Sequence, residues 1–178
     1  MRQIFLLLPL LTISLSAADQ TGAESTQKPV SAVILAEKDS QQGDKPIGNV
    51  QVKYADGTTD LWTTKKDCGL ARVSADGTVG WVIFEPETQV AASYKLRPCR
   101  TIALCRKGKI ITRITSGTPF INDWQFQDNG TRIAVAAMFT HGKTYYNLFD
   151  AATGKSLASA TATDETIPDW AKPLHEEN

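Results

Sequence analysis

The sequence predicts an all-β protein built from repeated antiparallel units. Three observations predict it. A strand–turn–strand pattern occurs twice: Ala71 to Val82, turning at Asp76-Gly77, is echoed by Trp124 to Val135, turning at Asn129-Gly130. Each copy is followed by another hairpin, turning at Lys107-Gly108 and at Thr153-Gly154. Short apolar runs separated by turn residues fill most of the chain, and repetition of this kind sets architecture before local detail does.

Each element has a local reason. Val30 to Ala36 reads as a first strand, and Gln41 to Pro46 as a loop. Asn49–Ala55 and Thr58–Thr64 flank Asp56-Gly57, a hairpin signal because both positions tolerate positive φ. Val50, Val52 and Tyr54 alternate with Gln51 and Lys53, giving that strand one wet face. The first full unit places strands at Leu70–Ser74, Thr78–Phe84, Arg100–Arg106 and Lys109–Thr115. The second places them at Trp124–Gln127, Arg132–Met138, Tyr145–Phe149 and Ser156–Ala160. Val79 to Phe84 and Ile133 to Met138 are almost continuously apolar, as strands buried on both faces are. The last strand of each unit is more polar, with Thr112, Arg113, Lys155 and Ser159.

That polarity gradient, with "QDNGTRIAVAA" and "YYNLFDAATGK" in the second unit, resembles the blade repeat of TolB-like and WD-like β-propellers. Ala71 to Ile114 resembles it less closely, because its middle connection is longer. The resemblance covers about half the mature chain and implies a fold, with no catalytic residues attached. A closed propeller takes about four to eight blades; two units and a partial third are too few for one chain. An open stack of blades, a ring completed by several copies and a β-sandwich all fit this strand pattern.

The N-terminus reads as a secretory leader. Arg2 precedes an apolar run from Ile4 to Leu15, and Ser16-Ala17-Ala18 suits cleavage after Ala18. The run is about a dozen residues, short of the ~20 a membrane span needs. Residues 1–18 are therefore assigned to the leader, 19–29 to a polar spacer, and 30–174 to a β-repeat domain with a C-terminal tail anchored by Trp170. No cysteine lies near the cut, so no lipid anchor is expected there, and the mature chain is placed in the periplasm or outside the cell. Lys and Arg total 19, as do Asp and Glu. The chain has no basic stripe to neutralise phosphates, which excludes nucleic acid as a partner. The basic group Arg106, Lys107, Lys109 and Arg113 straddles a hairpin turn and reads as a solvated strand edge.

Three cysteines in an exported chain lead us to expect one disulfide and one leftover thiol. Cys99 and Cys105 bracket a strand and would lie roughly 20 Å apart at ~3.3 Å per residue, beyond the ~7 Å a disulfide spans. Cys68 and Cys99 precede the first and third strands of one sheet, at the same end, so the pairing expected is Cys68–Cys99, with Cys105 a buried strand residue. Metal-type spacing is absent, and neither metal nor cofactor is expected.

Chemical motifs are few. Gly154-Lys155-Ser156 lacks the preceding glycine of a phosphate loop, because Phe149 stands there, and it joins two strands. The histidines are His141 and His175, the latter near the C-terminus, and no nucleophile elbow accompanies them. What survives is a set of aromatic and cationic residues on the connections between second and third strands: Tyr94, Arg97, His141 and Tyr145. Such groups on loops held by rigid sheets form binding surfaces. The sequence therefore predicts a non-catalytic protein that binds a protein or peptide, with strand addition at an unclosed sheet edge as a second route. The alternatives are a small hydrolase using carboxylates such as Glu85 and Glu87, and a homo-oligomer that completes a propeller.

Overall fold

The computed structural model describes residues 27–35, 49–64, 66–86, 97–139, 142–163 and 167–176. The leader, the loop at 41–46 and the site residues Tyr94 and His141 lie outside the described residues, as does all of the spacer before Gln27.

The protein is all-β. Among the described residues, eleven strands form three antiparallel sheets, and none of these closes into a barrel. The first sheet holds β1 (Pro29–Leu35), β2 (Asn49–Tyr54) and β3 (Thr59–Thr63) in that order. The second holds β4 (Cys68–Val73), β5 (Val79–Ile83), β6 (Thr101–Arg106) and β7 (Lys109–Thr115). The third holds β8 (Phe120–Gln127), β9 (Arg132–Met138), β10 (Thr144–Asp150) and β11 (Ser156–Thr161). Every strand lies beside its sequence neighbour, the up-and-down order that short hairpin turns impose.

The turns carry this order. Ala55-Asp56-Gly57-Thr58 and Ala75-Asp76-Gly77-Thr78 are the same four residues in the same geometry. Gly57 and Gly77 adopt φ of 86° and 85°, a region that costs glycine nothing. In each turn the aspartate Oδ1 accepts from the threonine N–H, at 2.9 Å and 3.0 Å. At the β10–β11 turn Asp150 Oδ1 accepts from Thr153 N–H at 2.7 Å. Each of the three sheets thus has one hairpin set by an aspartate that bonds its own backbone a few residues on.

The sheets stack face to face. The alternation of the strands sorts their side chains into separate layers. Val50 and Val52 of the first sheet meet Val79, Trp81, Ala103 and Cys105 of the second. From the opposite face of the second sheet, Val82, Ile102, Leu104 and Ile114 meet Trp124, Ile133 and Val135 of the third. All of β5 is buried, because both of its faces are covered. Along the stack β1 lies against β4, and β4 against β8. The strands that begin each sheet therefore converge.

The tail supplies a last layer. Ala171 and Leu174 pack on Ala134, Ala136, Tyr146 and Leu148, on the far face of the third sheet, with Trp170 half-buried beside them. Leu174 lies in a short helix, α1 (Lys172–Glu176). The anchoring residue is thus chiefly Leu174, with Trp170 in support. His175 is not in a loose end: its Nδ1 lies 2.8 Å from the Tyr146 hydroxyl. Among the described residues, no helix is long and apolar enough to cross a membrane.

The expected Cys68–Cys99 disulfide is not formed; none of the three cysteines is in a disulfide, and all are buried. The reason is face parity. Cys68 lies opposite Ile83 on β5, and both point into the layer shared with the first sheet. Cys99 points into the layer shared with the third sheet, where its thiol lies 3.6 Å from the Ile121 carbonyl oxygen. The second sheet stands between the two sulfurs. Cys105 is a buried strand residue as expected, and burial pushes its thiol up to about 12.

Candidate functional site

The loop surface expected from the sequence is only partly described, and one of its members has another task. Arg97 is half-buried. Its guanidinium pairs with Asp67, its Nε donates to the Glu85 carbonyl oxygen at 3.3 Å, and it lies 5.8 Å from the centre of the Phe84 ring. Glu85 N–H donates to the Pro98 carbonyl at 2.7 Å, and the Glu85 carboxylate takes Arg100 at 2.9 Å and 3.3 Å. These contacts cinch the base of the β5–β6 connection. Arg97 is a structural clamp, and Glu85 is engaged with a cation; Glu87, its partner in the hydrolase alternative, lies outside the described residues.

Tyr145 opens β10 one residue in. It is half-buried, with its ring edge-on to Phe139 at 5.8 Å, and it borders a shallow depression of about 340 Å³ with Asn147 and Ser159. No described contact joins Arg97 to Tyr145. Among the described residues, no group of three or more His, Cys, Asp or Glu side chains is placed to hold a metal.

A different place is built more completely. Where β1, β4 and β8 converge they enclose a groove of about 410 Å³, lined by Val30, Ala32, Ala71, Arg72, Gln125 and Phe126. All three strands are edge strands of their sheets, although the start of β8 is bridged to Cys99 and the Leu70 carbonyl of β4 is taken by Trp124. Arg72 Nη2 pairs with Asp123 Oδ1 at 2.6 Å. Asp123 is buried, 8% exposed, and the Arg72 side chain is 37% exposed. The Arg72 Nε is buried and has no hydrogen-bond partner. The unmet Nε lies on the same edge of the fork as the Nη2 that Asp123 holds, so what the part-exposed side chain presents to the groove is the rest of the guanidinium. Unmet buried donors are rare in folded proteins and cost about 1–3 kcal/mol each.

Two irregularities place Arg72 there. The β4–β5 register shifts between Gly69 and Arg72, and Leu70 adopts φ of 50°. This bulge re-aims the following side chains, as bulges do. It is pinned across the layer by Trp124, whose indole Nε1 donates to the Leu70 carbonyl at 2.8 Å. A second shift, between Ile121 and Asp123 on β8, accompanies the acid. The sequence did hold a signal for this pair: Arg72 interrupts an apolar strand, and Asp123 stands immediately before the buried Trp124.

The arrangement can hold an extended segment or a small polar ligand against three strand edges, with Arg72 as its charged contact. No protein-family model matches the chain, and no curated protein matches its sequence.

Proposed function

We propose that this chain is an exported, non-catalytic binding protein that recognises a protein or peptide segment in the envelope or outside the cell. The binding place is the groove between β1, β4 and β8. The observation that carries this reading is Arg72: a part-exposed guanidinium lining the groove, with its Nη2 fixed by Asp123. A ligand carbonyl or carboxylate accepts from the exposed part of the guanidinium, and the strand edges take the backbone of an extended chain. The likeness to TolB-like and WD-like propeller blades belongs to the same reading, supported by the up-and-down strand order and the repeated aspartate turns. The leader at 1–18 supports export.

The test is a selection from a displayed random-peptide library on the mature protein, followed by hydrogen exchange of the best binders' complexes. The reading expects enriched peptides that slow exchange in β1, β4 and β8. Failure to enrich any peptide, or protection confined to other strands, would overturn it.

A further inference from the structure

Among the described residues, the first sheet has three strands where the second and third each have four. The stacking shows which position is unfilled. β1 lies over β4. Val50 and Val52 of β2 share a layer with Val79 and Trp81 of β5, and Trp62 of β3 shares it with Ala103 and Cys105 of β6. Trp62 also sits at the β6–β7 turn, where a Cβ on Gly108 would lie 3.9 Å from its indole Nε1. The unfilled position lies beside β3 and over β7.

The surface of β7 bears the marks of that vacancy. Its side toward the third sheet is covered: Ile114 is fully buried, and the Thr112 hydroxyl donates to the Ala152 carbonyl at 3.1 Å. Its side toward the first sheet is bare among the described residues. Ile110 lies opposite Cys105, and Arg113 opposite Ala103, so both point toward the layer of the first sheet. Ile110 is 41% exposed and its neighbour Ile111 51%; Arg113 is exposed as well. Of the basic cluster at this hairpin, Arg106 pairs with Asp76. Lys107, Lys109 and Arg113 make no ion pair among the described residues. Asp60 on β3, the acid nearest in the sheet, accepts from the Tyr54 hydroxyl at 2.7 Å.

We infer that this slot takes an extended acidic segment of a partner protein as the fourth strand of the first sheet. The open edge of β3 supplies the backbone hydrogen bonds of strand addition. Ile110 supplies an apolar seat, and Arg113, with Lys107 at the turn, supplies complementary charge. The wanted segment alternates apolar and acidic residues on its inward and rim positions. The same two cations that deter a neutral or basic edge from pairing here select an acidic one. The slot is separate from the Arg72 groove, and the inference stands or falls without it.

The experiment uses the mature protein and two blocked nine-residue peptides, one alternating glutamate with valine, the other lysine with valine. Binding is read by fluorescence anisotropy, and the bound site by amide exchange across Thr59–Thr63. The glutamate peptide is expected to bind, to slow exchange in β3 and to weaken as salt rises. Arg113→Glu is expected to lower its affinity at least tenfold and Arg113→Gln by less, with the melting temperature unchanged because the side chain is exposed. Equal binding of both peptides, or no effect of Arg113→Glu, overturns the inference. So does β3 that is already protected without peptide: at every protein concentration this would mean that another part of the chain fills the slot, and with a concentration dependence, that a second copy does. Arg72 touches none of these readouts, so a failed groove and a failed slot give different results.

Discussion

The indole of Trp124 rests on the bare backbone of Gly80. A Cβ at position 80 would lie 2.5 Å from Trp124 Cη2 and 3.0 Å from Leu104 Cδ2, so the second and third sheets approach this closely only because residue 80 has no side chain. Trp124 is fully buried and shares its layer with Val82, Ile102 and Leu104. Gly80→Ala should force the ring aside and cost about 1–3 kcal/mol, the usual range for overpacking a filled core. A chemical denaturation midpoint that falls, with its slope unchanged, is the expected result.

The tail should behave as a removable cover. Tyr146 and Leu148 hold Leu174, and the Tyr146 hydroxyl meets His175. Leu174→Ala should release the tail before it unfolds the sheets, so its cost is limited to the free energy of docking. Exchange should quicken in residues 167–176 and apolar-dye binding should rise. Tyr146→Phe keeps the ring and loses one hydrogen bond, worth about 1 kcal/mol. The tail also covers the face on which another blade would stack in a ring of copies. Deleting residues from 167 onward should therefore promote self-association, read by light scattering.

Acid should loosen the Asp76 turn. Burial raises this carboxyl, but bonds from the Ser74 hydroxyl, the Thr78 N–H and hydroxyl, and the Arg106 guanidinium more than offset it, leaving the group below its ordinary value. The native state thus holds the proton more weakly than the unfolded chain. The stability this gives is complete above the unfolded pKa of about 3.9 and is lost as pH falls through the lower native value. Asp76→Asn should remove that part of the acid sensitivity. Unfolding midpoints of both proteins between pH 6 and pH 2, about the span of this titration, should converge at the acid end.

The thiols should be present and silent. Cys68, Cys99 and Cys105 are buried and form no disulfide, and burial raises both Cys99 and Cys105, so these two form little thiolate at neutral pH. All three should resist alkylation in the native protein and react once it is unfolded. A non-reducing digest that yields a Cys68–Cys99 peptide pair would contradict this account.

The strands were legible because their signals are local. Apolar runs mark β5 and β9, and glycines at positive φ close the turns at 57, 77, 108 and 154. β8 begins at Phe120, ahead of the expected Trp124, because polar Asn122 and Asp123 interrupt the apolar pattern after Phe120-Ile121. What stayed hidden depends on distance and on face. Arg72 and Asp123 are 51 positions apart and meet through a bulge at Leu70 that no propensity announces. Strand order brings Cys68 and Cys99 to one end of the sheet, but they point to opposite faces of it, and strand order does not carry the face. The helix at Lys172–Glu176 contains Pro173 and is too short for a period; it exists because Leu174 is buried. Arg97 was legible as a cation on a loop, but its partner Asp67 is 30 positions away.

What decides the proposed function is whether the part-exposed guanidinium of Arg72, held by Asp123, takes a ligand's acceptor. Arg72→Lys tests it, since lysine keeps a charge beside Asp123 and loses the guanidinium fork. The measurement is calorimetric titration of the best library-selected peptide into both proteins, at matched melting temperature. At least a tenfold loss of affinity is expected in Arg72→Lys. Equal affinity in the two proteins would contradict it and move the binding function away from the groove.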